Sequence, residues 1–177
     1  MLKVGDRAEV TVTSAQVFGL FCRAGTEEVL VRIPYVSWIA SFASCQQIAE
    51  PGDVLSVKVT HVHPESGQVS GDMRALYPDP WKNDALQAGE IHEATVRRCV
   101  PEADRCDDQP AYLVEVLPGA FGMLCASDHS LLPGQRCNVL LKAVNPERHS
   151  VVLALVDNGS EQDVAVQPAA AVDSKSE

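Results

Sequence analysis

The chain has 177 residues, 46% of them hydrophobic and 21% charged, with a formal net charge of −10. This is the composition of a soluble globular protein of one or two domains, and no apolar run approaches the roughly 20 residues that span a membrane. The acidic balance excludes an avid, charge-driven nucleic-acid binder, because attraction to phosphate is the usual main source of such affinity. The excess is uneven: residues 1–80 carry 6 basic and 9 acidic groups, residues 81–156 carry 7 and 10, and residues 157–177 carry 1 and 5.

Taken in chain order, Val4-Gly5-Asp6 opens an alternating run that predicts a first strand over residues 8–13. Next comes Val17-Phe18-Gly19-Leu20-Phe21, two aromatics about a glycine. A Phe on the outside of a strand offers a base a flat platform worth about 1–3 kcal/mol, whereas a Phe on the inside fills a core. Alternation places residues 18 and 20 on one face and 17, 19 and 21 on the other. At most one ring therefore points inward, unless Gly19 bends the strand, as glycines at bulges and close approaches do. Further strands are expected at 29–33 and 54–62, separated by an irregular stretch at 34–50 and the turn Pro51-Gly52. Pro64-Glu65-Ser66-Gly67 predicts a hairpin turn before a last strand at Val69, Pro fixing φ early and Gly supplying positive φ late. Five short strands in about 70 residues suggest a small barrel of the oligonucleotide-binding (OB) kind.

The linker Tyr77-Pro78-Asp79-Pro80-Trp81 is stiffened by two prolines and is expected to dock its aromatics between domains. The pattern then repeats. Gly5 to Val12 and Gly89 to Val96 share Gly, Glu, Thr and Val at the same offsets. Pro51-Gly52, Val57, Val59, Val62, Pro64-Glu65 and Val69 are matched in order by Pro133-Gly134, Val139, Leu141, Val144, Pro146-Glu147 and Val151. The expectation is an all-β protein of two tandem five-stranded OB-type barrels, at 3–76 and 88–157, joined by a linker at 77–87. Residues 101–110 read as a solvated loop. Residues 158–177, which lack aromatics, predict a disordered acidic tail.

Little in the chain suggests catalysis. There is no Gly-rich phosphate loop, no His pair at helix spacing and no Gly-x-Ser-x-Gly elbow, so a non-enzyme without cofactor is expected. The six cysteines form no CxxC pair and have no His partner at finger spacing. They read as small buried thiols, and no metal site is expected. His61 and His63 are a weak metal hint, with solvent exposure the plainer reading. Residues 1–6 show no export signal, which points to a cytoplasmic protein.

These residues resemble the S1 RNA-binding domain family. The family's Gly-led first strand, Phe-Gly-x-Phe second strand, third strand, Gly-Asp-x-Val and final basic position appear in order. Here they are Val4-Gly5-Asp6, Phe18-Gly19-Leu20-Phe21, the run from Val29 to Trp38, Pro51-Gly52-Asp53-Val54 and Val69-Ser70-Gly71-Asp72-Met73-Arg74. The resemblance implies an OB barrel that binds single-stranded RNA with weak sequence preference, in translation or RNA metabolism, with a ribosome or RNA-processing assembly as the wider partner. It implies stacking by Phe18 and Phe21, and a phosphate or base contact by Arg74. Arg32 falls where the family has a contacting His, and an Arg can stack and contact phosphate too. His63 falls where an acidic residue or Asn commonly precedes the last turn, and reads equally as a base contact or a solvated turn residue. The second unit departs further: Cys125 and Val156 stand at the positions of Arg32 and Arg74, and Tyr112 is its one aromatic there. It reads as a degenerate copy, and an adaptor whose OB folds have lost RNA affinity is the alternative function.

Overall fold

The computed structural model describes residues 1–40, 42–100, 109–126 and 131–157. The tail expected at 158–177 and most of the loop at 101–110 lie outside the described residues. Strands β1 (Arg7–Ala15), β2 (Gly19–Ala24), β3 (Glu27–Arg32), β4 (Val54–Val62) and β5 (Val69–Asp72) close a barrel in the order β1-β2-β3-β5-β4. All neighbours are antiparallel except β3 and β5, which close it in parallel through Val29–Val69 and Leu30–Ser70. The alternation seen in the sequence is the cause. Val10, Val12, Leu20, Cys22, Val29, Val31, Val57, Val59 and Val69 point inward and are at most 2% exposed, while Glu9, Thr11, Arg23, Glu28 and Lys58 face water. Each fully buried Val or Leu contributes about 1.5–3 kcal/mol.

The second unit has five antiparallel strands: β6 (Ile91–Val100), β7 (Ala111–Leu117), β8 (Ala120–Cys125), β9 (Arg136–Asn145) and β10 (Ser150–Val156). They run in the order β10-β9-β6-β7-β8. The all-β architecture of two tandem five-stranded OB-type units is therefore present, but the two close differently. No ladder joins β8 to β10 among the described residues. Instead the Leu153 side chain reaches across to Gly122, where its Cδ1 lies 2.7 Å from the place a Cβ would occupy. Among the described residues, side-chain packing rather than a strand ladder fills this seam.

A strap from the first barrel, residues 33–40, completes the second. Ser37 Oγ accepts the Phe121 N–H at 2.9 Å, the Trp38 N–H donates to Gly119 O at 3.0 Å, and the Ala40 N–H donates to His149 O at 2.7 Å. These bonds satisfy backbone groups that an open sheet edge would leave bare. Ile39, fully buried, sits in the core of the second unit, while Val100, Ala111 and Leu113 of the second unit sit in the core of the first. The linker seals the joint. Trp81 Nε1 donates to Trp38 O at 2.7 Å and its ring stacks on His149 at 5.2 Å. Gly119, at φ +77°, lies so close under Tyr77 that a Cβ there would be 2.6 Å from the ring. No helix among the described residues is long and apolar enough to cross a membrane.

Candidate nucleic-acid interface

Both phenylalanines stand outside the barrel. Strand β2 begins at Gly19, so Phe18 lies in the preceding loop, 54% exposed, and is free of the strand's alternation. Leu20 and Cys22 take the inward positions, which turns Phe21 outward, half-buried. The two rings meet edge to face, 5.8 Å apart at 89°, an arrangement aromatic quadrupoles favour. Gly19 makes room for this: a Cβ there would lie 2.9 Å from Val31 O and 3.2 Å from Leu30 Cδ1. The loop is held from behind by the Cys45 N–H, which donates to Val17 O at 3.1 Å, and by Gln46 Nε2, which donates to Ala15 O at 3.2 Å.

Arg32 joins this pair. It is the partner of Gly19 across β2 and β3, and the next residue, Ile33, donates its N–H to Phe18 O at 2.9 Å. Its side chain is exposed and makes no ion pair among the described residues. Phe18, Phe21 and Arg32 thus share one rim of the barrel. Sequence reading missed two neighbours there. Val17 is 59% exposed, and Leu30, opposite Phe21, points outward yet is only 8% exposed and belongs to neither core. Their sign in the sequence is an apolar residue at an outward position, which only the register makes visible.

His63 and Arg74 lie elsewhere on the barrel. His63 is exposed at the β4–β5 turn, where its Nδ1 accepts the Ser66 N–H at 3.4 Å and its ring meets His61 at 6.4 Å. A bulge in β4 between Val59 and His61 explains the pairing: it turns His61 out and Val62 in, where unbroken alternation would have buried His61. Arg74 lies over the rings of Tyr35 and Trp38 at 5.0 and 4.7 Å. In the second unit Tyr112 is buried in the core, with its hydroxyl accepting the Leu131 N–H at 3.4 Å, so it forms no outer platform. Cys125 is disulfide-bonded and Cys99 is an exposed free thiol, which corrects the reading of uniformly buried thiols. That reading describes Cys22 and Cys45, whose thiols burial pushes up to about 11.

Between the units lies a cleft of about 530 Å³. Its Arg97 and Arg98 are ion-paired with Glu115 and Glu50, so their charge is largely neutralised in place. No group of three or more His, Cys, Asp or Glu able to hold a metal ion stands among the described residues.

A five-stranded barrel closed in parallel by its third and fifth strands, with one outward aromatic on the second and another in the loop before it, is an OB-type protein. No family model matches the chain. It is 33% identical over 128 residues to a small ribosomal subunit protein bS1 homolog of Bacillus cereus, covering 71% of this chain and 31% of that one. It is 30% identical to the bS1 protein of Streptococcus pneumoniae over 166 residues, 87% of this chain and 39% of that one. The solved GSP13 of Bacillus subtilis is 28% identical, covering 51% of this chain and 75% of that one, with a TM-score of 0.39. In sequence the chain is similar to proteins of the S1 RNA-binding domain family. It spans about a third of the length of the curated bS1 relatives it matches.

Proposed function

We propose that this is an RNA-binding protein whose first barrel holds single-stranded RNA, with weak sequence preference, on the rim formed by Phe18, Phe21 and Arg32. The observation that carries this reading is the pair of phenylalanines turned to solvent while their strand neighbours fill the core. A ring in water has lost the benefit of burial, and a stacked base restores it. Arg32 supplies a cation beside the rings, and His63 a further contact from the β4–β5 turn. The names of the relatives support work alongside the small ribosomal subunit, in the cytoplasm, as a binding protein without chemistry of its own. The second unit, with its aromatic buried and its matching cation positions filled by Cys125 and Val156, supports the first barrel and serves protein contact rather than RNA.

The test is a fluorescence-anisotropy titration at low salt with an unstructured RNA of about eight nucleotides, within the range of about 4–16 per OB fold. Phe21→Ala is expected to weaken binding at least about fivefold, as loss of one stacked base does. Arg32→Gln is expected to reduce the salt slope by about 0.7, the value for one phosphate on a single strand. Binding that is unaltered in both variants would sink the rim reading, and no RNA binding by the parent itself at low salt would favour an adaptor that has lost RNA affinity.

A further inference from the structure

Arg74 is not arranged as a cation waiting for a phosphate. Its side chain is 19% exposed, and its Nε is buried 3.5 Å from Asp72 Oδ1. Asp72 Oδ1 accepts the backbone N–H groups of Arg74 at 2.7 Å and Ala75 at 3.1 Å. The guanidinium lies over two rings, Tyr35 at 5.0 Å and Trp38 at 4.7 Å, with the Asp72 carboxylate beside it at ion-pair distance, although its Nε makes no hydrogen bond. Its charge is spent inside the protein.

What it holds is the strap. Residues 33–40 start at the RNA rim, where Ile33 bonds Phe18 just after Arg32, and end in the second unit with Ile39 in its core. Midway, Tyr35 O accepts the Met73 N–H at 2.9 Å, one residue before Arg74. The residues around Arg74 therefore fasten the strap to the first barrel between the rim and the joint. We propose that Arg74 is a positioning residue for RNA binding, which fixes the strap so that Arg32 and Phe18 are presented correctly, and makes no phosphate contact itself. This rests on the RNA-binding reading of the rim.

The two roles separate by variant and by salt. A lysine keeps the charge but cannot lie flat between two rings, whereas a glutamine removes the charge. Arg74→Lys and Arg74→Gln, checked as folded by circular dichroism, are titrated with the same RNA over roughly 50–200 mM salt. Positioning predicts that both bind about two- to fivefold more weakly with the parent's salt slope. A slope lowered by about 0.7 in Arg74→Gln, with Arg74→Lys like the parent, would mean a direct phosphate contact and overturn the proposal. Parent-like affinity in both variants overturns it as well. If Phe21→Ala and Arg32→Gln also leave binding unaltered, the RNA reading itself has failed and takes this proposal with it.

Discussion

At the scale of single residues, the same alternation that orients Phe21 outward orients Cys22 inward, and burial keeps its thiol protonated. With Cys22 and Cys45 raised from 9.0 to about 11 in the folded state, their contribution to stability is complete below the ordinary thiol value and is lost as pH rises through 11. The urea midpoint is expected to fall between pH 9 and 11. Iodoacetamide at neutral pH should modify Cys99 at least about tenfold faster than Cys22 or Cys45, read by peptide mass spectrometry. Arg32 was reached only through its place in the family pattern, whereas the pairing of Phe18 with Phe21 was legible in the sequence because their spacing is local. The surroundings of Arg74 were not, because Tyr35 and Trp38 lie 39 and 36 residues earlier in the chain and no periodicity links them to it. The exposure of His61 was the plainer reading of the sequence, but its cause, the bulge at Thr60 that reverses the side of the sheet on which it falls, was not visible there.

Among elements, the strands and turns could be read from valine alternation and Pro-Gly punctuation, including β4 at Val54–Val62 and the turn after it. The stretch 34–50 could only be read as irregular, since its order comes from distant packing: Ser37 to Ala40 are held by the second unit, while Val36, Phe42, Cys45, Ile48 and Ala49 fill the core of the first. Ile39 shows this most sharply. It looks like a loop residue in sequence, yet it is 0% exposed and fills the core of the other unit. Ile39→Ala is expected to cost about 2–5 kcal/mol in urea denaturation, as for a truncated core residue. A cost under about 0.5 kcal/mol, usual for a surface substitution, would show that the strap lies on the second unit without completing it.

At the scale of the whole molecule, the repeat implied two barrels with linker aromatics docked between them, and the structure has two sheets that also borrow from each other's cores. Strap, linker and seam all meet there. Such sharing predicts one cooperative transition, with calorimetric and van't Hoff enthalpies in agreement. Two resolved peaks in scanning calorimetry would contradict it. Joined in this way, the second unit holds the far end of the strap whose near end is bonded to Phe18.

The joint has one more consequence. Trp38 and Trp81 are the chain's two tryptophans, and both sit where the linker crosses the strap, bonded to one another. The rim is built from phenylalanine. Intrinsic fluorescence therefore reports on one place alone: the emission of this protein is a gauge of how its halves are seated, and a base stacking on Phe18 or Phe21 changes it only by moving that seat.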